Sequence, residues 1–286
     1  MALRFERVAI AGVGLIGGSL ALAGRAAGLL GEVIGLGRSQ ANLDTALQRG
    51  IIDRVARDGA ELGRVDLVVL AVPVRSTAAV AAALLPHLAA GTVLTDVGSV
   101  KGEVVDEMEQ VLPADRPFVG GHPIAGGERA GALAADAQLF RGARCILTPT
   151  PRTDRAALAR VRGLWEGVGA RVEELSPTAH DRELAWTSHA VHGLAYALAR
   201  ALDAHDPALL AHAAPSLREM TRIAASPAEL WRDIFLANAD AVGEAMTAVA
   251  RELERIRAAV VAGDAAQLEA LLEAAVAAKR RGEPPR

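Results

Sequence analysis

The sequence is short of cysteine, of aromatic residues and of net charge. Cys145 is the only cysteine among 286 residues, which excludes an internal disulfide and a structural zinc site built on several thiolates. That usage suits a reducing, cytoplasmic setting. Aromatic residues make up 3% of the chain, so the core has to be small and aliphatic, as in helices packed closely on a parallel sheet. Charge of one sign is lacking too. Lys and Arg number 31 against 34 Asp and Glu, a formal net charge of −3, which argues against a strongly basic nucleic-acid binder. No apolar run approaches the roughly 20 residues that span a bilayer. The opening Met1-Ala-Leu-Arg-Phe-Glu-Arg7 leads straight into a strand-like run and has no apolar segment of the export-signal kind.

What is present is an ordinary balance of 51% hydrophobic and 23% charged residues, over a length that fits one large domain or two ordinary ones. The first half alternates short apolar runs with helical stretches. Arg7–Ala11, Glu32–Leu36, Val65–Val72 and Gly91–Asp96 read as buried strands. Between them Leu15–Ala27, Gln40–Gln48, Ser76–Leu88 and Val100–Val111 have helical length and spacing. Such alternation predicts an α/β domain with a doubly wound, Rossmann-type sheet. Phe118–Gly120, Cys145–Thr148 and Arg171–Leu175 add strands, with a helix over Asp154–Val168. From Ser176-Pro-Thr-Ala-His-Asp181 the pattern changes to Ala/Leu-rich helix, with Ser as N-cap and Pro in the first turn. Helices are expected over His180–Ala204, Pro207–Ala214, Ala228–Gly263 and Ala265–Arg281. The division predicted is 1–175 for dinucleotide binding and 176–286 for an all-helical substrate and dimerisation domain.

Gly12-Val-Gly14-Leu15-Ile16-Gly17 follows the first strand and opens a helix. This is G-x-G-x-x-G in its required context: a tight turn, room for a pyrophosphate, and close helix–strand packing. The free N–H groups of the helix start then face the phosphates. An acid normally ends the second strand of an NAD site; here that place reads Gly37-Arg38-Ser39. Arg38 facing a 2′-phosphate, with a hydrogen bond from Ser39, favours NADP over NAD. A solvated Arg38 in an enzyme that accepts both is the alternative.

Two further loops lie at the carboxyl ends of predicted strands, where ligands of open α/β sheets bind. They are Asp96-Val-Gly-Ser99-Val-Lys101 and Gly120-Gly-His122-Pro-Ile-Ala-Gly-Gly-Glu128. The helical half adds Thr187-Ser-His189-Ala-Val-His192 and Met220-Thr-Arg222-Ile-Ala-Ala-Ser-Pro-Ala-Glu-Leu-Trp231-Arg-Asp-Ile-Phe-Leu-Ala-Asn238. In that order, from about residue 6 to residue 240, these segments resemble the prephenate/arogenate dehydrogenase family of tyrosine biosynthesis.

The resemblance implies an oxidative decarboxylation of prephenate to 4-hydroxyphenylpyruvate. Hydride leaves ring C4 for the nicotinamide, CO₂ leaves C1, and the ring becomes aromatic. It places His122 at the 4-hydroxyl as acceptor or base, with Ser99 in the same cluster. It places His189 and Arg222 on substrate carboxylates, and Glu128 as an acid that tunes or gates the site. It also implies a homodimer built on the helical domain. Lys101 either caps its loop or reaches a phosphate. The family commonly reads Ser-His-Leu-Pro-His where Ala190-Val191 stand here, so the proline that would kink that helix is missing. Where many members carry a glycine-rich run, this chain has Ala213-Ala-Pro-Ser-Leu-Arg218.

Blander readings compete on residue type alone. His122 could order its loop through the backbone. His189 and His192, three apart on a helix, could bind metal, but no metal is expected here. Arg222 could pair with Glu219 at helical spacing. Trp231 reads as a core or interface anchor. Arogenate, which carries an ammonium where prephenate has a keto group, is the alternative substrate. The rival from another class is a dinucleotide sensor that turns nothing over.

Overall fold

In the computed structural model, residues 3–127 and 129–282 are described. The chain opens with β1 (Phe5–Ala11), α1 (Leu15–Ala26), β2 (Leu30–Leu36), α2 (Gln40–Gln48) and β3 (Arg54–Val55). It continues with β4 (Leu67–Leu70), α3 (Thr77–Leu84), β5 (Val93–Asp96), α4 (Gly102–Val111) and β6 (Phe118–Val119). These strands form one parallel sheet in the order β3-β2-β1-β4-β5-β6. That is the order of a dinucleotide-binding sheet, with its switch point between β1 and β4. Alternation along each strand divides the core into two layers. Val8, Ile10, Leu67 and Val69 face one; Ala9, Ala11, Val68 and Leu70 face the other.

Next come β7 (Gly121–Ile124), β8 (Arg144–Leu147), α5 (Arg155–Gly167) and β9 (Arg171–Glu174). The segment around His122, expected as a loop, is instead strand β7. It pairs antiparallel with β8, and β8 runs parallel to β9, in a second, three-stranded sheet. Gly120 makes this change of sheet possible. A Cβ there would lie 2.4 Å from Thr148 Oγ1, so only glycine lets the chain leave β6 beside the end of β8 and begin β7.

From Pro177 onward the described chain is helical: α6 (Pro177–Leu184), α7 (Ala190–His205), α8 (Ala208–Ala211), α9 (Pro215–Thr221), α10 (Ala228–Ala237), α11 (Ala239–Ala262) and α12 (Ala265–Arg281). Side-chain caps set two of these starts. Ser176 accepts from Ala179 N ahead of Pro177, and Asp264 accepts from Gln267 N after Gly263 takes a left-handed φ of 65°. Two expectations are corrected. The helix foreseen over Ala228–Gly263 breaks at Asn238, whose φ and ψ of −129° and 37° are not helical. The helix foreseen over Pro207–Ala214 is only the single turn α8, ending at Ala211, and a further helix, α9, starts at Pro215. Trp231 and Ile234 of α10 are buried in the same apolar layer as Val74 and Leu94 of the first half, so the helical part closes one face of the sheet.

Candidate active site

The turn from β1 into α1 fits a dinucleotide on physical grounds. Gly12 has a φ of 96°, and a Cβ there would meet the Ala71 carbonyl oxygen at 2.1 Å. A Cβ on Gly17 would meet the Gly12 oxygen at 2.3 Å and Ile10 at 2.9 Å, so its absence brings helix and strand together. Gly14, by contrast, has nothing within 4 Å of its Cβ position, which leaves open space where a pyrophosphate would approach. Gly14 is also the N-cap of α1, and no side chain caps that helix. Its first-turn N–H groups therefore remain for an anion. Leu15 lines the adjoining cleft, and Ile16 packs against the core. Arg38, with Gly12, Gly37 and Val72, lines a cavity of about 360 Å³ across the ends of β1, β2 and β4. Ser39 Oγ caps α2 by accepting from Asn42 N at 3.3 Å.

At the ends of β5 and β6 the site is built on buried charge. Lys101 and Asp96 form an ion pair with no exposure on either side chain. Lys101 thus neither reaches outward to a phosphate nor merely caps its loop. Burial pulls its pKa below the usual lysine value, and the Asp96 charge pulls it back up. Lys101 Nζ donates to the Gly121 carbonyl at 2.9 Å, and Gly121 N donates to Asp96 Oδ1 at 3.0 Å. Gly98 N donates to Asp96 Oδ2 at 2.8 Å. One ion pair therefore holds both backbone groups of the residue before His122.

His122 is 9% exposed, and its Nδ1 lies 2.8 Å from Nε2 of His180, which is wholly buried on α6. His180 Nδ1 in turn lies 2.7 Å from Asp181 Oδ1. Asp181 accepts from Lys101 N at 2.8 Å and from Gly102 N at 2.7 Å, so a carboxylate from α6 caps the start of α4. Burial, joined by the neighbouring His180 and Lys101 charges, holds His122 well below the ordinary histidine pKa. Burial lowers His180 too, against the pull of the Asp181 hydrogen bond. Both rings are neutral near neutral pH.

His189 ends a single π-helical turn, Ala185–His189, between α6 and α7. Such turns cluster at functional sites, and here one supplies the helix irregularity that a proline would otherwise give. His189 is 1% exposed. Its Nδ1 faces Asn238 Nδ2 at 3.2 Å, while its Nε2 is buried without a hydrogen-bond partner. Burial lowers its pKa to about 4, opposed by the Asp181 charge and the Ser99 backbone. Ser99 thus lies beside His189, in the loop after β5. The His189 ring sits 6.1 Å from Trp231, and Trp231 stacks on His192 at 3.5 Å. His192 and Arg222 line a cleft of about 690 Å³ together with Leu15 of the phosphate turn. The cleft therefore joins the cofactor turn to the helical part. Glu128 lies outside the described residues. Among the described residues no His, Cys, Asp and Glu cluster could hold a metal.

The sequence offers His180 only as a conceivable third metal ligand beside His189 and His192, and Asp181 only in a hydrolase reading that the missing G-x-S-x-G elbow discounts. Nothing in their spacing says that they pack behind His122, and Asn238 is given no role.

Comparison with known proteins agrees with this geometry. Residues 20–174 match the family "Prephenate dehydrogenase, nucleotide-binding domain", and residues 176–274 match "Prephenate dehydrogenase, dimerization domain". The chain belongs to the prephenate dehydrogenase family. It is 36% identical over 272 residues to the prephenate dehydrogenase of Bacillus subtilis, covering 92% of this chain and 72% of that one. Its fold matches the Aquifex aeolicus prephenate dehydrogenase solved with hydroxyphenyl propionate and NAD+, with a TM-score of 0.88, 33% identity, and 99% and 100% of the two chains covered. Synechocystis arogenate dehydrogenase matches with a TM-score of 0.79 and 28% identity, over 96% and 99%.

Proposed function

We propose that this protein oxidatively decarboxylates prephenate to 4-hydroxyphenylpyruvate, with hydride passing to NAD(P)+, in tyrosine biosynthesis. The observation that carries the reading is His122. It is a neutral, nearly buried imidazole whose Nδ1 is engaged by His180, in a chain of this family with an intact phosphate turn. Its Nε2 is then the ring nitrogen left to accept the proton of the 4-hydroxyl. A bound nicotinamide supplies the hydride acceptor. His189 offers its unpartnered Nε2 to the substrate, Arg222 pairs with a substrate carboxylate from the cleft wall, and Ser99 completes the His122–His189 cluster. Glu128, six residues after His122 in the sequence, is assigned the gating role that the family resemblance gives it.

Prephenate is preferred because it is the substrate named for the Bacillus subtilis and Aquifex aeolicus relatives. The Synechocystis neighbour supports arogenate as the second reading. Arg38 at the cavity rim supports NADP as the preferred cofactor. Leu253, Val260, Val261, Leu272 and Val276 stand exposed on α11 and α12, an apolar face that fits a second copy of the chain. The division at 175/176 and a cytoplasmic setting belong to the same reading.

Replacing His122 with Asn tests the assignment. Turnover of prephenate is expected to fall by about 10²–10⁴-fold, the share a positioned base supplies, with cofactor binding kept. Retained turnover would remove His122 from the chemistry.

A further inference from the structure

Asp181 touches both buried histidines, each through one intermediary. Its side chain reaches His122 through His180; its backbone carbonyl reaches His189 through Asn238, whose Nδ2 donates to Asp181 O at 2.8 Å. We infer that Asp181 is a positioning residue that fixes opposite tautomers in the two histidines, leaving His122 a proton acceptor toward the substrate and His189 a donor.

The argument is one of donors and acceptors. A carboxylate only accepts, and Asp181 already accepts two backbone N–H groups at the start of α4. His180 Nδ1, at 2.7 Å, must therefore carry the proton. A neutral imidazole has one N–H, so His180 Nε2 is a lone pair. His122 Nδ1, facing it at 2.8 Å, must donate, and His122 Nε2 is left as a lone pair. On the other branch the Asp181 carbonyl also only accepts, so the Asn238 edge facing it is the NH₂ group. That same NH₂ faces His189 Nδ1. His189 Nδ1 is then the acceptor, and the proton sits on Nε2, the atom with no partner in the chain. The Ser99 backbone lies close enough to act on this ring but makes no hydrogen bond to Nε2. A buried N–H donor left so poorly matched is costly, which points to an acceptor arriving with the substrate: a carboxylate or carbonyl oxygen. The helix register enforces the pairing, because the carboxylate and the carbonyl belong to one residue that also locks α6 onto α4.

The assignment of His122 as the base rests on the reading above; the tautomers do not. Long-range proton–nitrogen correlation spectra of the full chain, labelled with nitrogen-15 histidine, read them directly, with signals assigned by their loss in His122→Asn and His189→Gln. At neutral pH His122 is expected as the Nδ1–H form and His189 as the Nε2–H form. His180→Leu removes the acceptor behind His122 alone. It should release the His122 tautomer, leave that of His189 unchanged, and lower kcat by about 10- to 100-fold, part of what a positioned base supplies, while KM holds. His180→Gln, whose side-chain oxygen can replace the lone pair, should restore both tautomer and kcat. The inference is overturned if the wild-type rings share one tautomer, if His122 carries its proton on Nε2, or if His180→Leu leaves His122 as it was. Unaltered tautomers with full turnover in His122→Asn would instead overturn the assignment of the base.

Discussion

Lys101 and Asp96 pair with no exposed surface on either side chain, and both backbone groups of Gly121 hang on that pair. Two loops that are distant in sequence are thereby locked together immediately before His122. A buried charge without its partner is far more costly than no charge at all. Lys101→Met is therefore expected to lose about 3–5 kcal/mol of stability, the cost of breaking one buried pair. Adding Asp96→Asn should recover part of the loss. Denaturant unfolding of the single and double variants checks this; a single variant as stable as the parent contradicts it.

The buried histidines make stability depend on pH. Burial lowers His122, His180 and His189 below 6.5 in the folded chain, His189 to about 4. Above 6.5 both folded and unfolded chains hold these rings neutral, and the stability is complete. As pH falls from there, the unfolded chain binds protons that the folded chain refuses, so stability is lost. The slope is at most about 1.4 kcal/mol per pH unit for each histidine. For His189 the loss levels off below about 4. Tm should drop between about pH 7 and pH 5, and drop less steeply in His189→Gln. Equal slopes in the two proteins would show that His189 is not held neutral by the fold.

Arg38 faces the cavity at the ends of β1, β2 and β4, with Gly37 beside it and no acid in the place where one would hold a ribose hydroxyl. Arg38→Asp should move the ratio of kcat/KM values from NADP toward NAD by about tenfold or more, a difference of roughly 1.4 kcal/mol in cofactor recognition. Steady-state rates with each cofactor decide it. An unchanged ratio would make Arg38 a solvated surface residue.

Much of this was legible in the sequence because the signals are local. The period of the apolar runs located β1, β2, β4 and β5, and α2 and α12 keep the bounds that their caps and spacing predict. The glycines of the first turn carry their reasons in their own geometry. What was not legible depends on contacts between distant segments. Whether Gly120 continues a strand or passes to a second sheet depends on Thr148, which meets it only in the fold. The break at Asn238 interrupts no hydrophobic period, since α10 and α11 both bury apolar faces; what the break provides is an amide for Asp181 and His189. His180 and Asp181 read as an ordinary helix start, and their part in the site appears only when α6 packs on α4.

The most direct test is to give the purified protein prephenate with NADP, and separately with NAD, and follow nicotinamide reduction by absorbance. Rapid reduction that stops in His122→Asn is the predicted result. No reduction with either cofactor, by a protein that binds both, would contradict prephenate as the substrate; arogenate in the same assay would then decide between the second reading and a protein that only senses the dinucleotide.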